Sequence, residues 1–127
     1  NNSVTNVAGM LSAITATVAY TDTSAVTIGT LPAGAQIVDI NIDVTTAFNA
    51  ATTNTVTVGK TGSAAAYVTS TSVGSAGRAS VASTGVYSAW ANVGTSDIDY
   101  ATVTFSQTGT AASAGAARVT IVYKSLA

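Results

Sequence analysis

Apolar and polar residues alternate with a period of two in several short blocks of the chain, which is the pattern of half-buried β-strands. The clearest block covers residues 36–45. Its apolar members would all point to one face of a strand: Val38, Ile40, Ile42 and Val44. The polar residues between them would point to the opposite face: Asp39, Asn41 and Asp43. This block predicts a strand with one buried face and one face that meets water or a partner.

The blocks are short and are separated by Gly, Asn, Asp and Ser, which favour turns. We predict strands at residues 14–20, 25–28, 36–45, 55–58, 65–72, 78–83, 86–93, 100–107 and 118–124. The Ala-rich stretches around 64–66 and 111–117 lack helix caps and a 3.6-residue apolar stripe, so we predict loops there. These features predict an all-β fold, namely one antiparallel β-sandwich or jelly-roll domain of eight or nine short strands. The domain would cover residues 1–127, with 1–10 as an extended N-terminal arm.

Charged residues are few, with four Lys or Arg and five Asp in 127 residues. Four cations cannot neutralise the roughly six to ten phosphates that DNA-binding proteins contact, which argues against a nucleic-acid partner. Attachment to a membrane through basic residues is excluded for the same reason, and no apolar run approaches the ~20 residues of a membrane span. A surface with so little charge favours a protein that works docked in an assembly.

Catalysis and metal binding have few residue types to use, because the chain contains no His, Cys or Glu. Gly59-Lys60-Thr61 lacks the upstream glycine of a phosphate-binding loop and predicts a hairpin turn. The acidic side chains of residues 39–43 would stand nearly parallel on a strand instead of converging on Ca²⁺. Asp97 and Asp99 follow a turn-forming sequence, which argues against a pair of catalytic carboxylates. The sequence therefore predicts no enzyme, no metal site and no cofactor.

The last predicted strand, residues 118–124, carries apolar residues on both of its faces. Tyr123 would share one face with the other apolar residues of the strand, while Val122 would point the opposite way and need a partner. Two further aromatic residues, Tyr87 and Trp90, fit a core or a subunit interface. Together with Tyr100 they also fit a sugar-binding platform. The candidate interface residues are therefore Val122, Tyr123, Trp90 and Tyr87.

Residues 30–49 and 54–59 resemble small head-associated structural proteins of tailed bacteriophages. In this pattern a turn, Leu31-Pro32-Ala33-Gly34-Ala35, leads into an alternating strand that ends near Thr46-Ala47-Phe48-Asn49, and a second strand ends in Val58-Gly59. Residues 117–123 are similar to the last strand of that family. The resemblance implies a β-sandwich that binds the major capsid protein on the outer surface of the virion. It implies a capsid decoration (cement) protein, with a homotrimer as the favoured oligomer.

Two other functions fit the same residues. A carbohydrate- or receptor-binding knob on the virion would expose Trp90 and neighbouring Tyr residues in a groove. A self-associating adhesin or pilus subunit would instead use an unpaired terminal strand to complement a neighbouring copy. Exposed aromatic rings would favour the first function, and an unpaired sheet edge would favour the second.

Overall fold

The computed structural model describes residues 11–32, 34–91, 93 and 99–124. This part of the chain contains eight strands and one short helix: β1 (Leu11–Ala19), β2 (Val26–Leu31), β3 (Gln36–Thr46), β4 (Thr53–Lys60), β5 (Ser63–Ser72), β6 (Gly77–Ala79), α1 (Tyr87–Trp90), β7 (Asp99–Thr108) and β8 (Ala116–Lys124). The arm predicted at residues 1–10 lies outside the described residues. The all-β prediction is confirmed.

The strands form two four-stranded antiparallel sheets in a jelly-roll order. The first sheet has the order β1-β8-β3-β6, and the second sheet has the order β2-β7-β4-β5. Each connection except the β4–β5 hairpin passes from one sheet to the other. As a result β1 and β8 pair along their whole length, from Leu11 opposite Lys124 to Ala19 opposite Ala116. The predicted β-sandwich is therefore present, with eight strands among the described residues.

The inner faces of the two sheets enclose a core of aliphatic and aromatic side chains. Its fully buried aliphatic members come from both sheets and include Val18, Ile40, Ile42, Ile121, Val56, Val58 and Val103. Phe48, in the β3–β4 loop, packs on Phe105 of β7 with ring centroids 4.6 Å apart. Burial of each Val or Ile side chain stabilises the fold by roughly 1.5–3 kcal/mol. This core fixes the two sheets face to face and leaves their outer faces available for contacts.

A β-bulge in β3 changes which residues face the core. Ile37 lies opposite Tyr123 and Asp39 lies opposite Val122, so Val38 is the extra residue between these two pairs. Ile37 is 5% exposed, whereas Val38 is 44% exposed. The predicted alternation is therefore wrong at Val38, because the bulge moves that side chain out of the buried face. From residue 40 onward the alternation holds.

The chain between β5 and β7 differs most from its prediction. β6 covers only three residues instead of the predicted 78–83, and the predicted strand 86–93 contains the helix α1. The residues between β6 and α1 pair with the free edge of β5, as in the bond from the Thr69 N–H to the Thr84 carbonyl at 2.9 Å. The helical turn then carries Trp90 to the core, where it is 6% exposed. Tertiary packing of one large side chain thus outweighs the local strand pattern.

The two Ala-rich stretches are not helical, but only one of them contains the predicted loop. Residues 64–66 belong to β5, because the tight turn at Thr61 and Gly62 lets the strand begin at Ser63. Residues 111–115 form a loop, and residues 116–117 begin β8. The loop prediction is therefore wrong for the first stretch.

Candidate interaction surface

Val122 and Tyr123 are neighbours on β8 and lie on opposite faces of the first sheet. Tyr123 is paired with Ile37, is half-buried and packs against the core. Val122 lies between Ala13 and Asp39 in the register of the sheet and is half-buried on the outer face. The predicted division of this strand into two apolar faces is therefore present. Of the two residues, Val122 is the one that lies on the outer face.

Trp90 belongs to the core of the folded chain. It is 6% exposed, and its indole N–H donates a hydrogen bond of 2.8 Å to the carbonyl of Tyr67 on β5. The same carbonyl accepts a 2.8 Å bond from the N–H of Val86. These two bonds fasten α1 and the residue before it to β5. Trp90 can therefore offer little contact area to another molecule, but its ring supports that of Tyr87.

Tyr87 is an exposed aromatic residue that is held in place by its neighbours. Its side chain is 53% exposed, and its ring meets the Trp90 ring at 64°, with centroids 4.6 Å apart. Its hydroxyl donates to the Val81 carbonyl at 3.3 Å. Gly85 leaves room for this pair, since a Cβ atom at that position would come within 3.1 Å of both rings. These contacts present an aromatic ring to solvent in a defined orientation.

Exposed apolar side chains gather at one end of the outer face of the first sheet. Leu11 is 58% exposed and Val38 is 44% exposed. Ala13 and Val122 are adjacent across β1 and β8, between these two residues. We call Leu11, Ala13, Val38 and Val122 the outer patch. Sequence reasoning found Val122 but missed Leu11 and Val38, because β1 starts earlier than its clearest alternation and because the bulge leaves no mark in the pattern.

The β3–β6 side of the same outer face is polar and charged. Asp43 on β3 accepts two hydrogen bonds from the Arg78 guanidinium on β6, at 2.8 Å from Nε and at 3.3 Å from Nη2. The hydrogen bond and the negative charge of Asp43 raise the pKa of Arg78 above its ordinary value. Asp39 accepts a 2.9 Å bond from the backbone N–H of Ile40. The outer face therefore combines an apolar patch with charged residues that adjoin it, since Lys124 lies opposite Leu11 and Asp39 lies opposite Val122.

Two depressions adjoin Tyr87, one on each side of it. The first encloses about 420 Å³ and is lined by Gln36, Val38, Trp90 and Lys124 together with Tyr87. The second encloses about 450 Å³, and its lining includes both polar and apolar side chains: Asp39, Asn41, Arg78, Ser80, Val81 and Tyr87. Both volumes are in the range of small-molecule sites.

The outer face of the second sheet has a different chemistry, because hydroxyl groups cover its central strands. Apart from Gly59 and Tyr100, the residues at these alternate positions of β4 and β7 are Thr or Ser: Thr53, Thr55, Thr57, Thr102, Thr104, Ser106 and Thr108. The hydroxyls of Thr53 and Thr108, which are paired in the register, lie 2.6 Å apart and share a hydrogen bond. The Thr and Ser side chains at these positions supply hydroxyl groups instead of large apolar surface.

The remaining sequence candidates do not form a chemical site in the described part of the chain. Lys60 ends β4 and pairs with Ser63, so Gly59-Lys60-Thr61 is part of a hairpin turn, as predicted. Among the described residues, no three His, Cys, Asp or Glu side chains are grouped so that they could hold a metal ion. Asp97 lies outside the described residues, and Asp99 begins β7. In the described ranges, no helix is long and apolar enough to cross a bilayer.

Comparison with known proteins bears on the fold. No protein-family model matches the sequence, and no curated protein matches it. A chain of the cyanophage Pam1 capsid asymmetric unit is similar in structure, with a TM-score of 0.67 and 23% sequence identity. The similarity covers 93% of this chain and 86% of that chain. This protein therefore shares its jelly-roll fold with a chain of a bacteriophage capsid.

Proposed function

We propose that this protein is a structural component of a tailed-bacteriophage head, and specifically a decoration protein that binds the outer surface of the shell. The observation that carries the proposal is the fold shared with a phage capsid chain along 93% of the protein. The resemblance of residues 30–49 to head-associated proteins supports the same function independently. The scarcity of charge agrees with a docked protein, since charged residues are depleted from the centres of interfaces.

The partner in this proposal is the major capsid protein, and the contact surface is the outer patch. Leu11, Ala13, Val38 and Val122 place apolar area on three adjacent strands, which lie roughly 4.8 Å apart in a sheet. The patch alone is smaller than the roughly 800 Å² per partner of a stable interface. The neighbouring Thr and Gln side chains of β1 and β3 would complete it as a polar rim. Because the protein binds the assembled shell, its binding energy would stabilise the shell by mass action.

The proposal includes a homotrimer, as the resemblance to head-associated proteins implies. Multi-angle light scattering of the purified protein tests this point, and we expect the mass of three chains. A monomer at all concentrations would contradict the trimer but would leave binding to the shell intact. The proposal also includes the absence of enzymatic activity, because the sequence offers no His, Cys or Glu.

The self-association alternative depends on β1, which is an edge strand of the first sheet and has no charged residue. Uncharged edge strands are prone to pair with other chains. At one end of this edge the backbone groups of Ala19 are already bonded within the chain. The Ala19 N–H donates to Asp22 Oδ2 at 2.7 Å, and the Asp22 N–H donates to the Ala19 carbonyl at 3.0 Å. Light scattering separates the two functions, since a pilus-like subunit would grow into open-ended polymers as its concentration rises.

Thermal melting of phage particles tests the main proposal. Particles prepared without the protein should melt at a lower temperature, and addition of the purified protein should restore the higher one. Leu11→Asp, at an exposed position, should fold normally and fail to restore it. Ser106→Asp, which places the same charge on the exposed outer face of the second sheet, is the matched control and should restore it fully. If the particles melt identically with and without the wild-type protein, and the protein stays in solution, the proposal is wrong.

A further inference from the structure

The polar depression beside Tyr87 lies at the β3–β6 side of the first sheet and is not used by the proposed capsid contact. We propose that this depression is a binding site for a neutral carbohydrate, with Tyr87 as the stacking platform and Asp39, Asn41 and Ser80 as hydrogen-bonding groups. The depression is open to solvent and has a volume of about 450 Å³. Binding sites for small ligands typically combine apolar or aromatic walls with a few placed polar groups.

Tyr87 has the properties of a platform for a sugar ring. One side of a hexose ring carries C–H groups, which pack favourably on the negative face of an aromatic ring. At 53% exposure the Tyr87 side chain is accessible, while its contacts with Trp90 and Val81 fix its orientation. An aromatic ring that is already ordered loses little side-chain freedom when a ligand binds. The ordered ring beside an open depression is therefore placed as a stacking platform requires.

The polar groups around Tyr87 can both donate and accept hydrogen bonds, as sugar hydroxyls require. The Asn41 amide has no hydrogen-bond partner among the described residues and offers an oxygen and an NH₂ group. Asp39 uses one carboxylate oxygen for the Ile40 N–H, which leaves the second oxygen as an acceptor. The Ser80 oxygen accepts from the Ala82 N–H at 3.2 Å, and its own O–H remains available to donate.

The charge around this site favours a neutral ligand. Among the described residues that line the depression Arg78 is the one cation, and its guanidinium is already paired with Asp43. Asp39 contributes an additional negative charge. A phosphate, sulfate or sialic acid would therefore meet no unpaired cation and would be repelled by Asp39. These features select a neutral glycan over an acidic one.

On a particle, the site would act through multivalency. This consequence depends on the proposed decoration function, whereas the proposal of the binding site does not. A single shallow site binds sugars weakly, but many copies on one shell can raise the apparent affinity by 10²- to 10⁴-fold, on the order expected for linked sites. Particles would then be retained on surfaces that carry the glycan.

NMR titration of the free, isotope-labelled protein tests the proposal without any phage particle. The probes are the neutral hexasaccharides maltohexaose, cellohexaose and mannohexaose, with a sialylated oligosaccharide as the acidic comparison. We expect at least one neutral probe to shift the amide signals of residues 39–41, 78–82 and 85–87. The sialylated probe should bind at least about tenfold more weakly than that neutral probe.

Variants distinguish specific recognition from a general effect on folding. Tyr87→Ala should abolish the shifts, and Tyr87→Phe, which keeps the ring, should retain them. Asn41→Ala removes an amide that has no hydrogen-bond partner in the described part of the chain, so it should reduce the affinity about tenfold with the fold intact. Leu11→Ala, in the outer patch, is the control and should bind the sugar as the wild type does.

Three results would overturn the proposal. They are the absence of shifts with all three neutral probes, shifts that persist in both Tyr87→Ala and Asn41→Ala, and tighter binding of the sialylated probe. Failure of this site is distinguishable from failure of the decoration function, because Leu11→Asp should disrupt binding to particles and leave sugar binding unchanged.

Discussion

At the scale of single residues, Trp90 connects the core to the surface. Its indole N–H binds the Tyr67 carbonyl, and its ring supports exposed Tyr87. Trp90→Phe should lower the free energy of unfolding by about 2 kcal/mol, because a hydrogen bond and part of a buried ring are lost. Urea denaturation followed by circular dichroism measures this change. Tyr87→Phe removes an exposed hydroxyl and its long, solvent-exposed hydrogen bond to Val81. It is the control and should change stability by less than about 0.5 kcal/mol.

The ion pair of Asp43 and Arg78 should contribute little to stability. The two side chains are 35% and 64% exposed, and solvent screens such pairs strongly. The raised pKa of Arg78 means that this stabilisation is present below the ordinary arginine pKa and is lost only as the pH rises through the raised value. Asp43→Ala should therefore lower the melting temperature by no more than about 2 °C, equally at pH 6 and pH 9. A larger loss would mean that the pair holds β6 to the sheet.

Residue-level burial in β3 shows what alternation can and cannot predict. From residue 40 onward the apolar positions are buried, as the period-two pattern requires. At Val38 the pattern fails, because a bulge is set by how β3 pairs with β8 and not by the residues of β3 alone. The exposed Val38 of the outer patch could therefore not be found from the sequence, whereas Val122 could.

At the scale of elements, the β4–β5 hairpin depends on a glycine in a strand. A Cβ atom at Gly59 would overlap the carbonyl of Ser63 and the backbone of Ala64, because β5 is irregular next to the turn and crosses close to β4. Gly59→Ala should therefore destabilise the protein by about 3 kcal/mol, at the upper end of the usual cost of overpacking. The midpoint of urea denaturation measures it.

Gly74→Ala is the matched control for this hairpin prediction. The nearest atom to a Cβ at Gly74 is the Ser72 hydroxyl at 3.8 Å, an ordinary contact distance. The substitution should be neutral or stabilise the fold by up to about 1 kcal/mol, since alanine restricts the unfolded chain. Equal destabilisation by both variants would show that Gly59 is not needed for the close approach of the strands.

The helix α1 could not be predicted from this sequence. Residues 86–93 carry the β-branched and aromatic types that favour strands, and a four-residue helix leaves no periodic signal. What selects the helix is tertiary, since Trp90 must reach both the core and the Tyr67 carbonyl. Sequence reasoning named Tyr87 as a candidate for a sugar-binding platform. It could not place Tyr87 beside Asp39, Asn41 and Ser80, because that arrangement follows from this helix and from the sheet.

At the scale of the whole molecule, the jelly roll presents two outer faces of different chemistry. The first sheet has the outer patch beside a polar region, and the central strands of the second sheet have alternating Thr and Ser. Such a division lets one face dock while other surfaces remain in water. The β-sandwich itself was predictable, because strand alternation and turn residues recur along the chain. The assignment of each outer face was not predictable, because it depends on which strands become neighbours.

Val122 provides the test of docking at this scale. In the register of the first sheet it lies directly beside Asp39, so Val122→Asp places two carboxylates opposite each other at a half-buried position. Folding stability should fall by about 2 kcal/mol, and co-sedimentation with particles that lack the protein should be lost. Val122→Thr keeps the branched shape without a charge and should retain most of the binding.

The double variant Val122→Asp with Asp39→Asn separates docking from folding. It removes the repulsion between the two carboxylates and should recover about 1 kcal/mol of folding stability. It still leaves a charge in the apolar patch, where a docked partner would have to desolvate it, so co-sedimentation should remain lost. If the stabilised double variant sediments with particles as the wild type does, Val122 lies outside the contact surface and the shell is bound through another face.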